Sequence, residues 1–213
     1  MKKAIILLAL TTSLGFAAEE QNTVQRSFTV NPAEARLIVD GLQGNITVTG
    51  YQGSEIRATV QETWRGDTNE DVQRARNEVR LDITQDANTV RLYVDGPFRG
   101  RNGNRDRDYS ARFDFDVQVP VQASVDLRTV NGSRIAVTNT TGAYTVHNVN
   151  GSIEMKQIGG SGTASTVNGK VSVAFASNPT KPCTFKTVNG DIDAAFQPGL
   201  SAELGVKTVH GEA

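Results

Sequence analysis

The 213-residue chain holds one cysteine, two histidines, one tryptophan and 6% aromatic residues. A single cysteine forms no internal disulfide and supplies no Cys-based zinc site. Two histidines leave little material for a histidine metal centre or an acid–base network. The formal net charge is −1, so the chain lacks the basic surface that general nucleic-acid binding requires. Between residues 18 and 130 there is no lysine, and charge is carried by 14 arginines and 18 acidic residues. From 131 to 213 charge itself becomes scarce, with 6 basic and 5 acidic residues, five of the basic ones lysine. That break predicts two structural regimes, 18–130 and 131–213, without requiring two independent domains. This inventory implies no cofactor and no metal.

What is present begins with Met1-Lys2-Lys3, the apolar run Ala4 to Leu10, and small residues at Gly15 and Ala17. A basic start, a short apolar core and an A-x-A-like site predict a signal peptide over 1–17 and an exported chain, periplasmic or at the cell surface. The apolar core is too short for a membrane span, and no second run approaches that length. Cys183, within Cys183-Thr184-Phe185, is expected as a small hydrophobe packed in a strand.

The first regime reads as β-rich. Runs such as Ala35 to Val39, Asn45 to Thr49 and Glu55 to Trp64 are rich in β-branched residues and separated by glycine turns. Residues 69–78 form the one helix expected, with Asn69 as its cap and Val72, Ala75 and Val79 at helical spacing. Asp86-Ala87-Asn88 between two alternating runs predicts a hairpin. The loop from Gly96 to Asp108 places Asn102, Asn104, Asp106 and Asp108 alternately. Interleaved arginines and the missing glycine and distal glutamate make it a solvated loop rather than a calcium site.

The second regime is a repeat. Asn131-Gly132, Asn150-Gly151, Asn168-Gly169 and Asn189-Gly190 follow valines and are joined by His210-Gly211, at spacings of 19, 18, 21 and 21 residues. Asn-Gly tolerates positive φ, so each pair predicts a sharp turn, with His210 standing in for asparagine. Periods near 20 indicate stacked units. The expected fold is all-β: a single-stranded parallel β-solenoid or β-helix of 18–21-residue repeats, joined to a mixed β N-terminal part carrying one short helix. An antiparallel meander is the alternative, but it does not need the whole Thr-Val-Asn-Gly corner to recur. In the solenoid, equivalent residues stack about 4.8 Å apart and the asparagines form a ladder. Arg128, His147, Lys186 and Lys207, each four residues before a glycine, then fall into one column, the candidate binding residues.

Phe115 to Pro120, leading into Val125-Asp126-Leu127-Arg128-Thr129-Val130-Asn131-Gly132 and the later Asn-Gly repeats, resembles the bacterial putative-adhesin domain family of unknown function. Gly41 to Val48 resembles that family's first glycine-isoleucine turn. The resemblance implies a repeat-rich β-solenoid of the cell envelope and carries fold more securely than activity. Two departures are His at 210 and an end at Ala213, two residues past Gly211, within an incomplete repeat.

Catalytic constellations are sparse. Asp191 and Asp193 share a strand face by the period-two rule, with Ile192 and Ala194 filling the inner one. No Gly-x-Ser-x-Gly turn is present, and Gly159 to Gly162 lacks the ending of a phosphate loop. The expectation is a non-catalytic binding or structural module, with envelope polysaccharide or a surface protein as partner and self-association through the C-terminal end. The alternatives are a carbohydrate-active β-helix enzyme and an envelope-stress regulatory component.

Overall fold

The computed structural model describes residues 18–99, 108–203 and 205. The expected signal peptide, Lys207, His210, Gly211 and the loop residues Asn102, Asn104 and Asp106 lie outside the described residues. Fifteen strands and one α-helix are described. They are β1 (Ala18–Thr29), β2 (Arg36–Asp40), β3 (Ile46–Tyr51), β4 (Glu55–Gly66), α1 (Asn69–Glu78), β5 (Arg80–Asp86), β6 (Thr89–Asp95) and β7 (Tyr109–Pro120), then β8 (Ser124–Thr129), β9 (Arg134–Thr138), β10 (Tyr144–Asn148), β11 (Ser152–Ile158), β12 (Gly162–Ser165), β13 (Val171–Phe175), β14 (Thr184–Lys186) and β15 (Ile192–Ala195).

Period-two alternation sorts these strands into two sheets around one core. The eight-stranded sheet runs β1-β4-β7-β3-β9-β11-β13-β15, and the seven-stranded sheet runs β14-β12-β10-β8-β2-β6-β5. From β8 onward the chain alternates between sheets, so each strand pairs parallel with the one two elements away. Parallel strands need a crossover of a dozen or more residues. Here the crossover is a strand of the opposite sheet with its two corners. Ile46, Ile135, Ile153 and Val171 on one sheet, and Leu37, Leu127, Val146 and Ala164 on the other, are fully buried in the shared core.

The sheets are mixed, which corrects the parallel solenoid as a description of the chain. The 12-residue strands β1, β4 and β7 pair antiparallel, and so do β5 and β6. The reason lies in the connections. Gln52 to Ser54 and Ala87-Asn88 are too short for a crossover, whereas the residues between β4 and β7 make room for α1 and the β5–β6 hairpin. The hairpin turns at Ala87, with φ 46°, and Asn88 fixes it by donating to Glu34 at 2.7 Å. The two regimes share both sheets, since β8 pairs with β10 and β3 with β9.

Helix α1 occupies the predicted residues, but Thr68 is its cap and Asn69 its first helical residue. The Thr68 hydroxyl accepts from the Asp71 amide at 3.2 Å while Asp71 accepts from the Thr68 amide at 3.2 Å, a reciprocal capping box. Thr68 also holds the Asp71 carboxyl below the usual range, aided by Arg74. Val72 and Ala75 bury against the sheet, and Arg76 bridges to Glu20 of β1 at 2.7 Å.

On the inner face of β4, Glu62 is 6% exposed. Asn22 of β1 donates to it at 2.7 Å, Phe113 of β7 is its register partner, and the Arg76 charge of α1 acts on it. Burial nevertheless raises its pKa. A raised carboxyl favours folding while protonated, and that contribution fades as pH climbs from the unfolded value, about 4.3, through the folded one. Glu62→Gln is expected to stabilise the chain at pH 7, with a smaller gain in acid. Urea unfolding at both pH values checks this, and a variant less stable at pH 7 contradicts it.

Candidate functional site

Three of the four candidate binding residues, Arg128, His147 and Lys186, stand on the outer face of the seven-stranded sheet. Register aligns Asp82, Tyr93, Asp40, Arg128, His147, Ser165 and Lys186 in one row across it. Arg128, His147 and Lys186 are thus brought together, with Ser165 between the last two. His147 Nδ1 lies 3.0 Å from Ser165 Oγ. The next row carries Asp126, Thr145, Thr163 and Thr184.

The row is not uniformly basic. The Arg128 guanidinium donates to Asp126 at 3.0 and 3.3 Å, and Arg36 approaches the same carboxylate at 3.6 Å. Lys186 makes no ion pair among the described residues. Beyond Asp40 the row meets Tyr93, over whose ring Arg91 and Arg99 cluster, each 4.3 Å from the ring centre. Arg99 also donates to Asp40 Oδ1 at 3.0 Å and to the Asp40 carbonyl at 2.9 Å. Sequence spacing gave no signal for this cluster, because only the β2–β6 pairing brings Tyr93 beside Asp40.

The outer face of the eight-stranded sheet holds a shallow depression of about 520 Å³, lined by Thr23, Thr47, Thr59, Gln61, Asp114 and Asp116, among others. Arg112 clamps Asp114 with two bonds of 2.6 Å, and those bonds raise the guanidinium pKa further. The amide of Asn45 donates to the same carboxylate at 2.9 Å. Hydroxyl and amide side chains make up most of the lining of this depression.

The Asn-Gly corners form a side-chain ladder. Asn150 donates to Asn131 at 2.8 Å, Asn168 to Asn150 at 2.8 Å, and Asn189 to Asn168 at 2.7 Å. Beside it, the Asn148 amide and the Thr166 and Thr187 hydroxyls donate to the carbonyls of Gly132, Gly151 and Gly169 at 3.0, 2.9 and 2.9 Å. Gln43 bridges to Asn131 at the head of the series. The positive φ falls on Gly151, Gly169 and Gly190, at 143°, 152° and 148°. The asparagines keep the extended pairing that the ladder needs, so conformational tolerance does not explain asparagine at these rungs. Gly132 has no positive φ.

Asp191 and Asp193 are both exposed, and only Asp193 lies within β15, 3.5 Å from Lys170. Ile192 pairs with Val171 but stays 47% exposed, because β15 is the edge strand of the described sheet. Cys183 precedes β14 and is half-buried against the core. Burial, with the Cys183 sulfur alongside, pushes the Tyr144 phenol far above its ordinary range. No group of three His, Cys, Asp or Glu side chains able to hold a metal occurs among the described residues. No helix among them is long and apolar enough to cross a membrane.

No protein-family model and no curated protein matches the chain. Solved bacterial structures do. A putative cell adhesion protein from Clostridium sporogenes is 9% identical, covering 83% of this chain and 100% of its own, with a TM-score of 0.51. A putative adhesin from Bacteroides fragilis is 14% identical, covering 81% and 97%, with a TM-score of 0.27. Another from Parabacteroides distasonis is 11% identical, covering 81% and 78%, with a TM-score of 0.24. The fold likeness rests on the first. What the two chains share is the fold.

Proposed function

We propose that this chain is an exported, non-catalytic, adhesin-like binding module of a bacterial cell envelope, its repeat half a solenoid-like scaffold. The observation that carries the reading is the alignment of Arg128, His147, Ser165 and Lys186 across four parallel strands of one exposed face. Neighbouring parallel strands stand about 4.8 Å apart, so the row offers cationic and hydroxyl groups at regular intervals to an extended chain. Asp126 offsets Arg128, which leaves the Lys186 end as the more positive part of the row. An anionic envelope polymer suits that end, and the threonine row beside it adds neutral hydrogen-bonding groups. The fold shared with a putative cell adhesion protein supports a role in recognition.

The test is binding of a sulfated polysaccharide at low ionic strength, followed by titration with salt. Lys186→Ala together with Arg128→Ala is expected to weaken binding roughly three- to tenfold and to flatten its salt dependence. Unchanged affinity removes the row as a binding site. Thr47→Ala with Thr59→Ala, on the opposite sheet, is the control expected to leave binding unchanged.

A further inference from the structure

We infer that the Asn189–Gly190 bond is a site of spontaneous deamidation, and that the ladder keeps Asn150 and Asn168 inert. Asparagine before glycine is the most readily deamidated pair in proteins, because glycine puts no side chain in the way of ring closure. The Gly190 amide nitrogen, once a solvent base has taken its proton, adds to Asn189 Cγ. The Cγ–Nδ2 bond breaks and ammonia leaves. Water then opens the five-membered imide at either carbonyl, giving aspartate or isoaspartate. The balance is amide plus water to acid plus ammonia, and no oxidant or enzyme takes part.

The four described pairs differ in what this reaction needs, a free glycine amide and a side chain able to turn. The Gly151 amide donates to the Asn168 carbonyl at 2.8 Å, and the Gly169 amide to the Asn189 carbonyl at 2.9 Å. The side chains of Asn150 and Asn168 are each held at both ends, donating to one neighbour and accepting from the next. Both pairs are therefore locked at nucleophile and electrophile alike. Asn131 is held at one end only, by Asn150, but Gly132 is buried and the Asn148 amide ties down its carbonyl. At the last described rung, Asn189 donates to Asn168, and its own Oδ1 accepts from no described residue. Gly190 is exposed, and its amide makes no bond among the described residues.

The product changes the corner. A carboxylate at 189 has no N–H to give, so the 2.7 Å bond to Asn168 is lost and a negative charge faces the Asn168 oxygen. Isoaspartate also lengthens the backbone by one carbon, which weakens the bond from Gly169. Asn168 is then held at one end only and is the next described asparagine to react. Conversion therefore runs inward, Asn189 first, then Asn168, then Asn150.

Peptide mapping by mass spectrometry tests this on the purified chain, held folded in mildly alkaline buffer or unfolded in denaturant. Circular dichroism monitors the fold throughout, and Asn102–Gly103 is scored separately. In the folded chain the peptide containing Asn189 is expected to convert at least about tenfold faster than those containing Asn150 and Asn168, the gap set by local opening. In denaturant the four rates should converge. Asn189→Gln should suppress conversion at 189 and delay it at 168, since glutamine closes a less favourable six-membered ring. Gln43 shows that the corner accepts this side chain. Equal folded-state rates at 150, 168 and 189, or a folded-state Asn189 as inert as the inner rungs, would overturn the inference.

Discussion

Gly151→Ala is expected to cost about 3 kcal/mol or more of folding stability. Two penalties combine. The residue holds φ 143°, a region that L side chains rarely enter. A Cβ there would also stand 1.9 Å from the Gly132 carbonyl oxygen and 2.7 Å from that of Ser133. Both atoms belong to the backbone of the rung below, so neither can swing aside like the tip of a flexible side chain. Relieving the clash means separating two rungs, which stretches the ladder bond from Asn150 to Asn131 and the Asn148 bond to the Gly132 carbonyl. Gly199→Ala is the control. Its φ is 82° and nothing lies within 4 Å of the added carbon, so only the conformational cost applies, about 1 kcal/mol. Urea denaturation of both variants separates the two costs. Equal losses would mean that close approach of the rungs is not what requires glycine at 151.

Phe113→Ala is expected to cost about 3–5 kcal/mol. Phe113 is 1% exposed and meets Trp64 edge-on, with ring centres 6.3 Å apart. It stands where the antiparallel strands meet the corner leading into β3. Its amide donates to the Gln43 carbonyl at 2.9 Å, and its own carbonyl oxygen lies 2.0 Å from where a Cβ on Gly44 would be. Truncation leaves a cavity on which both the antiparallel block and the parallel stack border, and neither can close it without moving the other. Trp64 is the one tryptophan of the chain, so its fluorescence reports this change directly. Leu127→Ala, also fully buried but on β8, should lose 2–5 kcal/mol, roughly as much, with the Trp64 spectrum unaltered in the native state. A Phe113 variant within about 1 kcal/mol of the parent would mean that the site collapses freely, contrary to its placement.

The repeat half was legible because its information is periodic. Asparagines 18, 19 and 21 residues apart declare where the chain returns, and alternation around Ile153, Val171 and Val146 declares which face turns inward. Helix α1 was legible from local chemistry, although its cap was misplaced by one residue. Thr68 and Asn69 both favour capping, and only the reciprocal bonds of Thr68 with Asp71 decide between them. The antiparallel block was harder to read. Val24 meets Val60, and Val60 meets Phe115, partners 36 and 55 positions apart along the sequence, and nothing in any one strand specifies such a partner. The candidate site shows the same division. The alignment of Arg128 with His147 follows from the period, whereas the Asp126 carboxylate at Arg128 and the Tyr93 cluster depend on rotamers and on β2 standing between β6 and β8.

The direction of the inter-strand hydrogen bonds in the repeat half has a mechanical consequence. Those bonds lie along the stack, perpendicular to the strands, so a pull on the C-terminal side loads them one pair at a time rather than all together in shear. The chain then yields by peeling, and each peeled repeat of 18–21 residues pays out about 60–75 Å of slack. Beyond the repeats the peeling front meets β7 and β4, each anchored along nearly its whole length by a neighbour running the other way. A chain built this way lengthens in steps under tension, and its antiparallel block is the last part to give.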